Sequence, residues 1–261
     1  MIGFLIKKSF FDSWDNLFRV ALINIGFIIS FAVTLLPLIA PDIFFSVPSI
    51  IVIVLMSIGA FWCFVYLAAA AKSLSAISDY GSFGFADFWN NLKEVWLVGL
   101  VMGGLIVLAV LLVTVVINFY LDMGNLMGLF LAAVIFWTLV TSVLSLQYLF
   151  AVRSRLDTRI TKAIKKCFII FFDNPMFSVF LFIHNLVMFI LSFFLAFLFP
   201  GPAGILLFLD QGLRLRLLKY DWLEENPGAN RKKIPWDAIL IDERDRTGTR
   251  SLRNFFFPWK D

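Results

Sequence analysis

The sequence predicts an all-α, polytopic membrane protein with six transmembrane helices in hairpin units, together with cytoplasmic interfacial helices. Of its 261 residues, 61% are hydrophobic and only 15% are charged, and the mean hydropathy is +0.91. A soluble domain of this size would carry about 25% charged residues and somewhat under half apolar ones. Most of this chain is therefore expected to face lipid.

Six apolar runs are predicted to cross the membrane. The first five are long enough to cross roughly 30 Å of hydrocarbon at about 1.5 Å per residue, and the sixth is shorter. Gly99, Gly103 and Gly104 form a small-residue pattern in the third run, which predicts a close helix contact either inside the chain or with a partner. The runs are residues 18–40, 47–71, 96–120, 127–152, 176–199 and 203–218.

Basic residues occur only in alternate connections between these runs. Residues 41–46, 121–126 and 200–202 contain no lysine or arginine. Because Lys and Arg accumulate in cytoplasmic loops, both termini are predicted to lie in the cytoplasm, and the number of spans is then even. The basic residues on the predicted cytoplasmic side include Lys7, Lys8, Arg19, Lys72, Lys93, Arg153, Arg155 and Arg159.

A short aromatic motif recurs ahead of the odd-numbered runs. It reads WDNLFRV from Trp14, WNNLKEV from Trp89 and FDNPMFSV from Phe172. We interpret each copy as the entrance to a span, where Trp or Phe lies at the head groups and the Asp or Asn side chain accepts from free helical N–H groups. This interpretation predicts three repeats, each an interfacial helix, a cap and a transmembrane hairpin, starting near residues 1, 75 and 157.

The charges divide the chain into two parts. Residues 219–261 hold 17 of the 40 Lys, Arg, Asp and Glu residues. We therefore predict a six-span membrane domain over residues 1–218 and a cytoplasmic charged and aromatic tail over residues 219–261. Four aromatic residues near the end of the tail are expected to lie against the membrane surface or in a groove of another protein: Phe255, Phe256, Phe257 and Trp259.

Other segments at the predicted cytoplasmic boundary are also candidates for docking. Lys162, Lys165 and Lys166 alternate with apolar residues, a pattern typical of a helix in the interface with its lysines toward anionic head groups. With Trp14 and Trp89, they predict contact with the lipid bilayer and with a membrane-protein partner. The net charge of +4 does not predict nucleic-acid binding, since basic residues in a membrane protein are explained by cytoplasmic loops.

Four polar residues inside the apolar runs form a candidate intramembrane site. Asp210 is expected near mid-depth of the sixth run, where an ionised carboxylate is costly, and Arg214 lies four residues later on the same helical face. The pair indicates either an ion or solute site or a local ion pair that holds the helix in place. His184 and Asn185 in the fifth run indicate either proton relay or hydrogen bonding between helices.

The sequence contains no pattern that predicts an enzyme. There is one histidine, and neither cysteine is near it in the sequence, so no catalytic, metal-binding or cofactor-binding residues are predicted. A phosphate-binding GxxxxGK[ST] loop and a GxSxG motif are both absent from the sequence.

The segment LDTRITKAIKKCFIIFFDNPMFSVFLF resembles part of the YesL-like family of bacterial multi-span membrane proteins. The likeness rests on Asn174 and Pro175, on the basic stretch from Lys162 to Lys165 ahead of them, and on FGFADFWNNLKEVW, and it extends over roughly residues 1–220. It implies a place in the bacterial cytoplasmic membrane and a link to carbohydrate uptake systems of the ABC type. The family supplies no established binding residues.

We therefore expect a non-enzymatic accessory or scaffold protein that assists a carbohydrate ABC-type uptake complex. It would act by docking its interfacial segments and its aromatic tail, without chemistry. The alternative is a small-solute transporter or permease subunit that uses Asp210, Arg214 and His184.

Overall fold

The protein is helical in the computed structural model, which describes residues 1–156, 159–230, 234–248 and 250. The structure is 85% helical, and the described ranges contain no strand. The helices are α1 (Ile2–Asp15), α2 (Leu17–Ile39), α3 (Ser49–Ser78), α4 (Phe85–Leu111), α5 (Asn118–Asp122), α6 (Leu126–Leu146), α7 (Leu149–Arg155), α8 (Ile160–Asp173), α9 (Pro175–Phe194), α10 (Gly201–Glu225), α11 (Trp236–Ile239) and α12 (Ile241–Thr247).

Five helical segments in the described ranges are long and apolar enough to cross a membrane. Their large apolar side chains are widely exposed, as lipid contact requires: Phe18 is 86% exposed and Phe194 is 81% exposed. This arrangement is compatible with a multi-pass membrane protein, and the segments coincide with the first five predicted runs. They are Leu17–Ile39, Ser49–Ser78, Phe85–Asp122, Leu126–Arg155 and Pro175–Phe194.

Helix α10, which contains the sixth predicted run, differs from these five. Its apolar stretch includes Asp210, Arg214 and Arg216, and most of its residues are buried. The helix packs against α1, α2, α3, α7 and α9. Near its start, the backbone N–H of Ala203 donates to Asn24 Oδ1 of α2 (2.8 Å), and near its end Lys219 Nζ donates to Asn174 Oδ1 just before α9 (2.9 Å). α10 is therefore an interior helix of the bundle.

Helices α3 and α4 pack through the small-residue pattern. A Cβ atom added at Gly99 would lie 2.4 Å from the Cα atom of Val65, and one added at Gly103 would lie 2.7 Å from the ring of Phe61. A Cβ atom at Gly104 would have no neighbour within 4 Å. Gly99 and Gly103 therefore serve a contact inside the chain.

The predicted repeat unit near residue 75 differs from the structure. Ser75 lies in the last turn of α3, and a short connection leads directly into α4, which begins at Phe85. No separate interfacial helix stands between them, because the apolar faces of both helices continue past the predicted span ends. Helices α1 and α8 do precede α2 and α9, whereas the predicted start at residue 157 lies outside the described residues.

The predicted side-chain caps also differ from the structure. Asn16 and Asn174 occupy the N-cap positions of α2 and α9, but neither side chain accepts a capping hydrogen bond. Asn16 instead accepts from Arg19 Nη1 (3.0 Å), and Asn174 accepts from Arg216 and Lys219. Both oxygens accept from charged side chains instead of backbone N–H groups, since hydrogen bonds that involve an ionised group are the stronger ones.

Candidate functional site

Asp210 is held by a buried, bidentate ion pair. Arg155, the last residue of α7, donates from Nε to Asp210 Oδ1 (2.7 Å) and from Nη2 to Asp210 Oδ2 (2.5 Å). Asp210 is 1% exposed, so both of its carboxylate oxygens are bound away from water. Arg155 also donates from Nη1 to both oxygens of Asp79 (3.1 and 3.2 Å), at the end of α3.

The predicted pairing of Asp210 with Arg214 is wrong. Arg214 Nη1 donates to the carbonyl oxygen of Ser78 (2.9 Å) and also to Asp79, and Arg214 Nη2 donates to Glu243 Oε1 of α12 (2.6 Å). Arg214 therefore binds Asp79, Glu243 and the carbonyl oxygen of Ser78. It does not bind Asp210, one turn away, because that carboxylate is already bound by Arg155.

In the structure, Asp210 of α10 lies beside the ends of two neighbouring helices. Its surroundings are the C-terminal ends of α3 and α7, marked by Asp79 and Arg155. The last turn of a helix carries free carbonyl groups and a partial negative charge, which attract cations. The carbonyl oxygens of Ser75 and Ser78 accept from Arg155 and Arg214 for this reason. We call Asp79, Arg155, Asp210, Arg214 and Glu243 the ionic cluster.

Helix α1 adds a second buried pair beside the ionic cluster. Lys8 Nζ donates to Asp12 Oδ2 (2.9 Å) and lies 3.5 Å from the centre of the Tyr80 ring, and Gln211 Nε2 of α10 donates to the same Asp12 oxygen (2.7 Å). Burial lowers the pKa of Lys8 and raises the pKa of Asp12, while their mutual attraction opposes both shifts. The hydrogen bond from Gln211 to Asp12 joins α1 to α10.

The described part of the C-terminal tail packs against the bundle. Tyr80 donates to Glu243 Oε2 (2.8 Å), and burial raises the pKa of Tyr80. Lys7 donates to the carbonyl oxygen of Gly248 (2.9 Å). Arg250 Nη2 donates to Asp15 Oδ2 (2.8 Å), although that pair is half exposed and contributes little.

A separate polar group surrounds the junction of α8 and α9. Lys219 Nζ donates to Asp173 Oδ2 (2.8 Å) and Tyr220 donates to the same oxygen (2.9 Å). Burial alone would raise the pKa of Asp173, but these hydrogen bonds outweigh it and lower that pKa. Nearby, the guanidinium carbon of Arg216 lies 3.7 Å from the centre of the Phe177 ring. This group fastens the end of α10 to the start of α9.

The structure does not bring His184 and Asn185 into the ionic cluster. The His184 ring stacks on Phe208 at 3.6 Å between ring centres, and Nδ1 of His184 has no hydrogen-bond partner in the described part of the chain. Oδ1 of Asn185 likewise has none among these residues. The four predicted polar residues therefore occupy two different places.

The predicted docking residues lie mainly at the surface. Trp14 is 45% exposed and Trp89 is 48% exposed, Lys162 and Lys165 of α8 are exposed, and Lys166 is partly buried. Ile169 and Phe172 continue the exposed stripe of Lys162 and Lys165 along α8. The tail residues Phe255, Phe256, Phe257 and Trp259 lie outside the described residues.

The sequence reasoning missed most of the ionic cluster. Asp79, Arg155 and Glu243 come from predicted connections and the tail, where charged residues usually face water, and they are 29 to 163 residues away from their partners. One signal was present: Gln211, Arg214 and Arg216 follow Asp210 in the otherwise apolar run of residues 203–218, so that run required polar partners from elsewhere.

The tail contact allows a direct test. We expect Glu243→Gln to weaken the hydrogen bonds of Glu243 with Arg214 and Tyr80, which hold α12. A loss of about 1.4 kcal/mol in the binding of α12 would raise the rate of limited proteolysis between α10 and α12 about tenfold. Asp242→Asn, an exposed neighbour on the same helix, is the matched control and should digest at the parental rate. Equal rates for the two variants would contradict a tail held by Glu243.

The fold and the site together define a helical protein with several apolar helices that are compatible with multiple membrane crossings. The chain matches no protein-family model, no curated protein and no solved structure.

Proposed function

We propose that the chain is a non-enzymatic accessory or scaffold protein of the bacterial cytoplasmic membrane, with six spans in hairpin units and both termini in the cytoplasm. α10 is the sixth span in this proposal. Two of its charged residues, Asp210 and Arg214, are paired with Arg155 of α7, with Asp79 at the end of α3 and with Glu243 of α12, which supports the placement of these two charges inside the bundle.

One observation carries the non-transporting role. Both carboxylate oxygens of Asp210 are occupied by Arg155, and Asp210 is 1% exposed. A solute or ion site requires ligand oxygens that are free to bind and release, and a saturated carboxylate favours a structural role. The same contacts support the topology, because the ionic cluster joins the ends of α3 and α7 to the tail, all predicted to be cytoplasmic.

The partner in this proposal is a membrane subunit of a carbohydrate ABC-type uptake complex. The exposed Trp14 and Trp89 and the exposed lysines of α8 supply aromatic and basic contacts on one predicted face. Aromatic residues are enriched at the centres of protein interfaces, and a basic rim steers an acidic partner. The resemblance to the YesL-like family suggests the type of partner.

Two measurements test the proposal. Reporter fusions at Asp42 and Asp122 should report the outer side and a C-terminal fusion the inner side. A photo-crosslinking amino acid at Trp89 or Lys165, in cells that co-express such a transporter, should join the chain to its membrane subunit. The same amino acid at Leu126, 83% exposed in a predicted outer loop, is the matched control.

The charge-reversed variant Lys162→Glu with Lys165→Glu should lose co-purification of that subunit while remaining in the membrane. An inner-side signal at Asp42 would contradict the topology. A chain that forms no crosslink to the subunit, and that moves solute by itself in liposomes, would contradict the accessory role.

A further inference from the structure

The end of helix α3 takes a backbone conformation that usually belongs to glycine. Tyr80 follows the C-cap residue Asp79 and has a φ angle of 61°, in the left-handed region. Its N–H donates to the carbonyl oxygen of Ile77 (2.9 Å), and the N–H of Gly81 donates to that of Ala76 (2.8 Å). These two hydrogen bonds form a Schellman motif, in which the left-handed residue is usually glycine. A tyrosine there is strained, because its Cβ atom lies too close to the following carbonyl oxygen.

The side chain of Tyr80 makes contacts that a glycine could not make. We call residues 236–247, which comprise α11, Leu240 and α12, the strap. The hydroxyl group of Tyr80 donates to Glu243 Oε2 of the strap (2.8 Å) and lies 3.3 Å from Thr247 Oγ1. Lys8 Nζ of α1 lies 3.5 Å from the centre of the Tyr80 ring. Tyr80 therefore contacts both the strap and the helical bundle.

Few buried side chains hold the strap. Within it, only Leu240, Glu243 and Thr247 are buried, and every other side chain of α12 is exposed. Two of these three residues contact the hydroxyl group of Tyr80. Segments with few buried contacts open at a lower free energy than the rest of a protein. The docking of the strap therefore depends to a large extent on Tyr80.

We propose that Tyr80 is a conformational latch that couples the docking of the strap to the end of α3. While the strap is docked, its contacts with the Tyr80 side chain compensate for the strained backbone. When the strap leaves, the strain is no longer compensated, and the Schellman hydrogen bonds at the end of α3 open more often. Because such coupling is reciprocal, a partner that binds the strap also changes the connection between α3 and α4. The latch goes beyond the accessory role and does not depend on it.

Hydrogen–deuterium exchange of the full chain in detergent tests the latch. Mass spectrometry follows the backbone amides of the strap and those of residues 80–81, which form the Schellman motif. Glu243→Ala removes the carboxylate that binds Tyr80, and it should raise the exchange rate of both sets by about fivefold or more, the factor given by one lost hydrogen bond. Asp242→Ala, at the exposed neighbouring position, is the matched control and should exchange at the parental rate.

Two further variants separate the latch from a simple loss of contact. Leu240→Ala removes the apolar anchor of the strap and leaves Glu243 and Tyr80 unchanged, and it should also raise the exchange rate of residues 80–81. Tyr80→Gly supplies the residue that the left-handed position favours and removes the side chain. It should loosen the strap while residues 80–81 stay protected. Adding Glu243→Ala to Tyr80→Gly should not raise the exchange rate of residues 80–81 further.

Faster exchange in the strap of Glu243→Ala and Leu240→Ala, with parental exchange at residues 80–81, would show a strap without coupling and would overturn the proposal. An equal effect of Glu243→Ala on residues 80–81 with and without Tyr80→Gly would overturn it as well, because the effect would then not pass through Tyr80. If Leu240→Ala fails to fold, the comparison of Glu243→Ala with and without Tyr80→Gly decides.

Discussion

Asp210→Asn is expected to lower the free energy of unfolding by about 3 to 5 kcal/mol, because it removes the buried carboxylate that binds Nε and Nη2 of Arg155 and leaves that guanidinium only the half-exposed carboxylate of Asp79. The loss should appear as a lower midpoint temperature for the monodisperse fraction in detergent. Arg155→Gln should lower the free energy of unfolding by a similar amount, because it leaves the buried carboxylate of Asp210 without its cation. Arg244→Gln, which breaks the exposed pair with Asp237, should change stability by less than about 1 kcal/mol and is the control.

The double variant Asp210→Leu with Arg155→Met separates charge burial from packing. Because neither charge is then left without a partner, it should recover much of the stability that either single change loses. The result also bears on the alternative function. An Asp210→Asn protein with parental stability and abolished solute flux would contradict the structural role and would favour a transporter.

Gly99→Ala is expected to disrupt the contact between α3 and α4. The new methyl group would lie 2.4 Å from Val65 Cα and 2.8 Å from the carbonyl oxygen of Phe64, and both are backbone atoms that move only with the whole helix. Overpacking of this kind costs about 1 to 3 kcal/mol and sometimes more. The midpoint temperature in detergent should fall accordingly.

Gly104→Ala is the matched control for this change. It introduces the same methyl group five residues along the same helix, where nothing lies within 4 Å. Because alanine favours a helix over glycine by about 1 kcal/mol, this variant should be as stable as the parent or more so. Equal destabilisation by Gly99→Ala and Gly104→Ala would contradict a specific role for the α3–α4 contact.

The long apolar helices follow from the sequence because their cause is local. A run of some twenty apolar residues must bury its backbone polar groups in hydrogen bonds within the run, and in lipid only a helix or a closed barrel does so. The first five predicted runs therefore correspond to helices in the structure. The fifth run ends early, at Phe194, because Ala196 and Phe197 take positive φ angles of 49° and 59° in the turn that follows.

The small-residue pattern illustrates a partial prediction. Glycines spaced along one helix face predict a close approach, and that approach exists. The sequence does not say which helix faces the glycines. It also does not say that Gly99 contacts that helix whereas Gly104 does not, because this depends on how α4 is rotated against α3. Rotation is set by packing over both helices, which no short window of sequence contains.

The partners of the charges could be decided only by the tertiary structure. The spacing of Asp210 and Arg214 indicates an ion pair within one helix, but each side chain bonds to groups that are distant in sequence. In an isolated helix, Asp210 can pair only with residues one turn away. In the folded bundle, Arg155 binds both of its carboxylate oxygens. Composition and periodicity thus determined which segments are helices, and the packing of those helices decided which charges meet, because ion-pair strength depends on distance and burial in three dimensions.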